Sequence, residues 1–285
     1  MSTWRLRDRT LPFPPPLAAG IVNVTDDSFF SGARSGTPEQ AVADGLALVD
    51  AGFDLLDVGA VAARSGPSVS PDEEAARLVP AIERLAAEAG VPVLADTFSA
   101  EVAERALEAG AAGINDIGGG ADEALLELIA RTGAGYVLMH IEGPPRVDRE
   151  PPTYDDPVDH LNAWFSNRID AAVARGIDEA QIALDPGLDF DLSVDDDVEL
   201  LRRLPELREL GHPLFLALSR KDFLGAIVAG SWETRAPAEE REAATLAAVS
   251  IAVAQGAEVL RLHDPSALDA VRTAAAISGV GATRG

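Results

Sequence analysis

Polar side chains that could bind a ligand follow a series of short apolar runs in this sequence. They are Asn23, Asp57, Asp96, Asn115, Asp116, His140, Asp185, Lys221, Arg261 and His263. One aspartate in such a position is usually a helix cap or a turn residue, but a series that combines amides, carboxylates and cations favours a ligand site. The set suits a flat, nitrogen-rich heterocycle. Carboxylates accept paired N–H groups from a 2-amino-4-oxo ring, and a cation or donor contacts its carbonyl and imine nitrogen.

Lys221 is the only lysine among the 23 basic residues of the chain, and Asp222 follows it directly. A compact ammonium group would suit a position under a ring better than the wide fork of arginine. The alternative is a surface lysine with no role in binding. Asp222 precedes a predicted helix at 223–229, so its side chain is expected to accept from the first free N–H groups of that helix.

The apolar runs predict strands, and the longer amphipathic segments between them predict helices. The predicted strands are 20–24, 55–59, 92–96, 113–117, 136–141, 182–185, 213–219 and 259–263. The predicted helices are 38–51, 71–88, 100–108, 121–131, 158–175, 194–210, 223–229, 239–255 and 265–277. Several of these helices end at a glycine, which is a common C-terminal stop.

Eight strand–helix units in one chain of 285 residues predict an α/β protein with a single (β/α)8 TIM barrel. A doubly wound open sheet is the alternative, although no GxGxxG motif follows the first strand. We expect one domain over 1–285, in which 1–18 is an N-terminal lead-in. Since the active sites of TIM barrels lie at the C-terminal ends of the strands, the polar residues above should converge there.

The composition excludes several classes of protein. A net charge of −24 disfavours binding to nucleic acid or to anionic membranes. The absence of cysteine excludes disulfides and thiolate metal sites. No apolar run approaches the length of a membrane span, so a cytoplasmic protein without membrane or nucleic-acid partners is predicted.

Short motifs at these strand ends resemble those of dihydropteroate synthase over almost the whole chain. They are GIVNVT at 20–25, DSF at 27–29, DVG at 57–59 with Arg64, DT at 96–97, ND at 115–116, LMH at 138–140 with Gly143 and Pro145, DPG at 185–187 with Phe190, SRK at 219–221 with Phe223 and Gly225, and RLHD at 261–264. Each motif alone is weak, but their order and placement are specific for the pterin-binding barrels.

The resemblance implies a role for each matching residue. The pterin-binding set is Asp96, Asn115, Met139, Asp185, Lys221 and Arg261; the pyrophosphate-binding set is Asn23, Arg64, Arg261 and His263; and the second-substrate set is Pro145, Phe190, Ser219 and Asp222. Lys221, Arg261 and Asp96 would be catalytic, and Asn23 would lie near Mg²⁺ as the cofactor. The implied reaction joins 6-hydroxymethyl-7,8-dihydropterin pyrophosphate to p-aminobenzoate, or to another amine, and releases pyrophosphate. The resemblance also implies a homodimer.

The sequence departs from the family mainly on the second-substrate side. Val61, Ala62 and Ala63 replace the Glu-Ser-Thr of the family's second loop, and Asp26 stands where proline is usual. The Gly-Phe-Gly-Lys of the family reads DFDL at 189–192, so Leu192 replaces its lysine. The serine that often follows the catalytic lysine is Asp222, at the helix N-terminus where the family binds the carboxylate of p-aminobenzoate.

Three functions remain open from the sequence. The first is a dihydropteroate synthase. The second is a pterin-binding paralogue with another amine or without synthase activity, suggested by Asp222, Ala63 and Leu192. The third is a non-catalytic or methyl-transferring pterin binder, which the pyrophosphate-binding residues disfavour. We expect Asp222 to lower the affinity for p-aminobenzoate by competing for the N–H groups of the helix.

Overall fold

The computed structural model describes residues 3–24, 37–64, 66, 68–147 and 149–280. Its strands are β1 (Thr3–Leu6), β2 (Arg9–Pro12), β3 (Leu17–Asn23), β4 (Leu55–Gly59), β5 (Val93–Asp96), β6 (Gly113–Asp116), β7 (Gly135–Met139), β8 (Ile182–Asp185), β9 (Phe215–Ala217) and β10 (Val259–Leu262). Its helices are α1 (Pro38–Ala51), α2 (Pro71–Glu88), α3 (Ala100–Glu108), α4 (Glu123–Thr132), α5 (Pro157–Ala174), α6 (Val194–Arg202), α7 (Leu204–Leu207), α8 (Asp222–Ala229), α9 (Glu242–Ala254) and α10 (Ser266–Ser278).

Strands β3 to β10 form one parallel sheet in the order β8-β7-β6-β5-β4-β3-β10-β9. A parallel bridge between Leu184 and Leu214 joins the two ends, so the sheet closes into a barrel. The predicted (β/α)8 TIM barrel is therefore confirmed, and the doubly wound alternative is wrong. Because helices cover a parallel sheet, whole strands are buried, as in β4 and β7.

Local signals in the sequence account for the helix boundaries. Thr37 caps α1 by accepting from Gln40, and Gly52 ends this helix at φ 106°. Ser70 and Glu73 form a reciprocal capping box at the start of α2. These caps explain why the predicted bounds of α1 and α2 are confirmed to the residue.

Two predicted helices are interrupted, and the one at 239–255 begins as a 3₁₀ turn at Ala238–Glu240 before α9. The segment 194–210 forms α6, then α7 and then a 3₁₀ turn, with Arg203 between the first two. Pro205 lies in the first turn of α7, where a missing N–H is tolerated, whereas proline would break the hydrogen bonds of a continuous helix.

The N-terminal segment is more than a lead-in. Strands β1 and β2 form an antiparallel hairpin, and Trp4, Leu6 and Phe13 are almost fully buried. They pack with side chains from the barrel strands, including Leu55 and Phe215. The indole N–H of Trp4 donates to the carbonyl oxygen of Gln181 at 2.8 Å. The hairpin therefore plugs the end of the barrel opposite the polar strand ends.

Candidate active site

The predicted pterin-binding residues lie on adjacent strands at the C-terminal end of the barrel. Asp96 is in register with Asn115 on the next strand, and Met139 is in register with Asp185. Lys221 follows β9, whose neighbour across the closure of the barrel is β8. The fold thus places these residues around one mouth.

Arg261 connects two carboxylates in this mouth. Its Nε contacts Asp57, and its Nη2 lies 2.7 Å from Oδ2 of Asp96. The amide of Asn115 donates to the same oxygen of Asp57 at 3.0 Å. A guanidinium shared between buried Asp57 and partly buried Asp96 is held in one orientation by charge-assisted hydrogen bonds.

Asp57 is central to the site but is absent from the predicted pterin-binding set. It is fully buried, and its Oδ1 has no hydrogen-bond partner among the described residues. Asn115 likewise has an unused buried Oδ1. Buried polar atoms in native proteins almost always have partners, so these two acceptors suit the N–H groups of a ligand. The signal for Asp57 was its place in a strand otherwise built of apolar residues and glycine.

Burial changes the acidity of two carboxyl groups in the site. Burial raises the pKa of Asp96 to about 7, although Arg261 opposes the shift. Burial also raises the pKa of Asp185 to about 6, opposed first by Lys221. Both groups therefore change charge between mildly acidic and neutral pH, which is common at functional sites.

The backbone around Lys221 directs its ammonium group into the mouth. Arg220 takes a left-handed conformation at φ 58°. Nζ of Lys221 donates to the carbonyl oxygen of Leu188 at 2.8 Å and lies 4.7 Å from the centre of the Phe190 ring. Burial lowers the pKa of Lys221, whereas Asp189 and Asp185 raise it. The lysine is therefore a partly buried site residue and not the surface residue of the alternative interpretation.

An apolar cluster lies beside these charges. Met139 is buried with Ile117 and Ile141, and the cluster includes partly buried Phe98 and Phe190. Ala63, one of the departures from the family, packs against the same cluster. Apolar side chains next to hydrogen-bonding groups are typical of sites for flat ring ligands.

The predicted pyrophosphate-binding residues are only partly brought together. Nδ1 of His263 lies 2.9 Å from the hydroxyl oxygen of Ser219, a predicted second-substrate residue. Burial lowers the pKa of His263 to about 3, with Arg261 as the next cause. The ring is thus neutral at physiological pH. The motif residues 25–29, including Asp26, and also Ser65 lie outside the described residues.

Asn23 fits its predicted role toward Mg²⁺ in ligand chemistry. It is the last residue of β3 and is partly exposed. It is in register with Gly59 on β4, which is in register with Asp96 on β5. Its amide oxygen is a hard ligand of the kind that Mg²⁺ binds together with substrate phosphates.

Arg64 and Asp222 form an ion pair that the sequence did not predict. Arg64 Nη1 lies 2.6 Å from Oδ2 of Asp222, and Arg241 and Arg235 approach its other oxygen at 2.7 and 3.2 Å. Asp222 is buried, with 4% of its side chain exposed. Arg64, predicted for pyrophosphate, therefore lies with the second-substrate residues.

The predicted capping role of Asp222 is wrong. The backbone N–H groups of Asp222 and Phe223 donate instead to the carboxylate of Asp189, at 2.5 and 2.8 Å. The Asp222 side chain turns away because three arginines surround it. The anion-binding end of α8 is thus occupied by a carboxylate from the loop after β8.

The two aspartates of the DFDL segment take conformations that favour glycine. Asp189 has φ 69° and Asp191 has φ 52°, and aspartate tolerates this region better than most residues. Asp191 is held by Arg149 at 2.5 and 2.7 Å. Aspartate where the family has glycine was therefore the signal in the sequence that could have predicted a turn with positive φ in this loop.

A cavity of about 960 Å³ opens on the second-substrate side. Its lining includes Arg64, Arg149, Asp189, Asp191, Leu192 and Trp232. Leu192 is buried. Pro145 is only partly buried, in the loop after β7, and is not among the lining residues.

Asp116 and His140 point away from the predicted ligand. Asp116 accepts from the N–H groups of Gly118 and Gly120 and from the hydroxyl of Tyr136. Side chains alternate along a strand, so Asn115 faces the mouth and Asp116 faces the helices. His140 contacts Glu142 at 3.1 Å.

A closed parallel barrel with buried acids, an amide and a lysine at its mouth defines a barrel enzyme that binds a polar heterocycle. The sequence profile of one family, described as pterin binding enzyme, matches residues 19–263. The chain belongs to this family, as the motifs predicted.

A similar protein sequence and two similar solved structures support this assignment. The chain is 40% identical to the dihydropteroate synthase of Mycobacterium leprae over 270 aligned residues. This alignment covers 92% of this chain and 93% of the relative. A structure of Xanthomonas albilineans dihydropteroate synthase with 4-aminobenzoic acid has a TM-score of 0.87 and 39% identity, covering 98% of both chains. The same enzyme in complex with 7,8-dihydropteroate has a TM-score of 0.84 and 37% identity, covering 98% of this chain and 100% of the other.

Proposed function

We propose that this protein is a dihydropteroate synthase of folate biosynthesis. It joins 6-hydroxymethyl-7,8-dihydropterin pyrophosphate to p-aminobenzoate and releases pyrophosphate. The observation that supports this best is the group of buried Asp57, Asn115 and Asp185 with partly buried Asp96, Lys221 and Arg261 at the mouth of the barrel. Because the similar chains are dihydropteroate synthases, a pterin-binding paralogue without this activity is not favoured.

The pterin ring would be held by its polar edge. Asp185 and Asp96 accept hydrogen bonds from N–H groups of the ring. The Oδ1 atoms of Asp57 and Asn115, which have no partner among the described residues, supply further acceptors. Lys221 faces the ring carbonyl and imine nitrogen from the opposite side. Ionised carboxylates also stabilise the positive charge that develops on the dihydropterin as the bond to pyrophosphate breaks.

The departing pyrophosphate needs positive charge and N–H donors. Arg261 supplies a guanidinium, and the neutral ring of His263 supplies one N–H group. Asn23 would hold Mg²⁺, which, when bound, neutralises charge on the diphosphate oxygens. The amine of p-aminobenzoate then attacks the exocyclic carbon of the pterin, so no nucleophile from the protein is required.

We infer that the protein is a cytoplasmic homodimer. Among the residues that the structure describes, no helix is long and apolar enough to cross a bilayer. Ile251 on α9 and Ile277 on α10 are 50% and 82% exposed. A contiguous apolar patch that included these two side chains would suit an interface between subunits. Light scattering coupled to size-exclusion chromatography tests this inference, and a monomeric mass at micromolar concentration contradicts it.

The reaction is tested by incubating the protein with the pterin pyrophosphate, with and without p-aminobenzoate. We expect pyrophosphate release that depends on the amine, together with the mass of 7,8-dihydropteroate. Asp185→Asn should abolish most of the activity, and Asp269→Asn, with 90% of its side chain exposed, is the matched control. Release of pyrophosphate without an amine adduct would overturn the proposal.

A further inference from the structure

Two histidines and a glutamate form a cluster beside the mouth, outside the sites described above. Nε2 of His140 lies 3.1 Å from Oε1 of Glu142, and Nε2 of His160 lies 2.5 Å from the same oxygen. The three ligand atoms all lie within 4.8 Å of one another. This is the only such group of three or more His, Asp or Glu side chains among the described residues.

The geometry and chemistry of the cluster suit a divalent metal ion. Zn²⁺ binds imidazole nitrogen and carboxylate oxygen at about 2.0–2.2 Å, which places neighbouring ligand atoms about 3.3–3.5 Å apart. The His140–Glu142 and Glu142–His160 separations of 3.1 and 2.5 Å require changes of less than about 1 Å to reach that geometry. Two imidazoles and one carboxylate favour Zn²⁺ or a similar transition metal over Mg²⁺, which prefers oxygen ligands.

Neighbouring groups hold the three side chains in place. The His140 ring is fully buried and packs edge-on against Trp164 at 5.0 Å, and Tyr154 lies 4.4 Å from the His160 ring. The backbone N–H of Glu142 donates to Asp191 at 2.9 Å. Ligands that are already oriented lose less conformational freedom when a metal binds.

The second ring nitrogen of His140 limits the expected affinity. It is buried and has no hydrogen-bond partner among the described residues. Histidines that bind metals usually donate this N–H to an acceptor, and the loss of such a contact lowers affinity about 10–100-fold. We therefore expect weaker binding than at a structural zinc site.

We propose that His140, Glu142 and His160 bind one Zn²⁺-like transition-metal ion, with the fourth position open to water. The ion would join the loop after β7 to the N-terminal end of α5. Through the contact of Glu142 with Asp191, it would also stabilise the loop after β8 that borders the cavity. The site is separate from the proposed Mg²⁺ position at Asn23, and it does not depend on the synthase activity.

The test uses the full chain after treatment with a chelator. Zn²⁺ is titrated by calorimetry in the presence of excess Mg²⁺, and Co²⁺ is used as a spectroscopic probe, since tetrahedral Co²⁺ absorbs strongly in the visible range. We expect one Zn²⁺ per chain, binding more weakly as the pH falls because the ligands must be deprotonated.

Variants locate the bound ion. His160→Ala and Glu142→Gln should each lower the affinity at least tenfold and remove the visible Co²⁺ bands. Both side chains are partly exposed, so both variants should fold, which circular dichroism verifies. Asp159→Asn, an exposed neighbour on α5, should bind like the parent protein. No stoichiometric Zn²⁺ binding by the parent, or unchanged binding by both variants, would show that the cluster is only a hydrogen-bonded network.

Discussion

The two sides of the barrel mouth differ in how their charges are satisfied. On the pterin side, Asp57 and Asn115 keep buried acceptor atoms that no described residue uses. On the second-substrate side, Arg64 is paired with Asp222, Arg149 with Asp191, and the N-terminus of α8 with Asp189. A ligand with N–H donors can bind the first side without displacing any of these pairs, whereas an anionic ligand on the second side must compete with carboxylates of the protein itself.

The largest effect is expected from breaking the arginine cluster around Asp222. Asp222→Asn removes the carboxylate charge that buried Arg241 and the partly exposed Arg64 and Arg235 share. Removing one member of a buried ion pair costs about 3–5 kcal/mol, so we expect a loss of that order in the free energy of unfolding, measured by urea denaturation. Asp269→Asn, at an exposed pair with Arg272, should change stability by less than about 0.5 kcal/mol. Equal effects of the two changes would mean that the Asp222 cluster is not structural.

The next effect concerns the pterin side. Lys221→Ala should weaken the binding of a pterin about tenfold to a hundredfold, since a hydrogen bond from a charged group contributes about 1.5–3 kcal/mol. Calorimetric titration with 6-hydroxymethylpterin measures the change. Arg202→Ala, whose side chain is 71% exposed, is the control. Unchanged pterin affinity in Lys221→Ala would remove this lysine from the site.

The acidity of Asp185 predicts how pterin binding depends on pH. With a pKa of about 6, the carboxyl group is mostly protonated at pH 5 and mostly ionised at pH 7.5. The ionised carboxylate accepts a hydrogen bond at each oxygen, whereas the protonated form carries a hydrogen on one of them. The affinity for the pterin should therefore rise about tenfold from pH 5 to pH 7.5. Asp96, with a pKa of about 7, should extend the rise in the same direction. Fluorescence titration of a pterin checks the profile, and Asp185→Asn should flatten its lower part; a flat profile in the parent would contradict the assignment.

The smallest effect is expected at the end of α8. Asp189→Gly frees the N–H groups of Asp222 and Phe223 and supplies the residue that tolerates the φ of 69°. The KM for p-aminobenzoate should fall several-fold with pterin affinity unchanged. Asp195→Asn is the control, because it removes a negative charge from the same cavity but leaves the N-terminus of α8 bound to Asp189. It therefore separates a general effect of charge from the release of the helix N-terminus. A KM that falls equally in both variants would show that Asp189 does not compete directly.

Local signals predicted much of the fold. The amphipathic segments predicted the bounds of α1 and α2, which the caps at Thr37 and Ser70 explain, and the apolar run of β8 predicted its bounds. The hairpin was missed because each of its strands has only four residues, and their burial depends on barrel residues far along the chain, such as Phe215.

The candidate site shows the same division between local and long-range information. The strand ends predicted that Asp96, Asn115 and Asp185 would lie near one another, since parallel strands end at one edge of the barrel. The partner of Asp222 could not be found in this way. Arg64 lies 158 residues away in the chain, and an aspartate before a helix is usually its cap.

The hairpin plug has a consequence for the order in which the protein folds. β1 and β2 precede all eight barrel strands, yet Trp4 bonds to Gln181, which is 177 residues further along the chain. Contacts between such distant residues form late, because the entropic cost of closing a long loop precedes any gain from packing. We expect Trp4 to stay accessible to solvent until the barrel closes, so its fluorescence would follow that last step in refolding experiments.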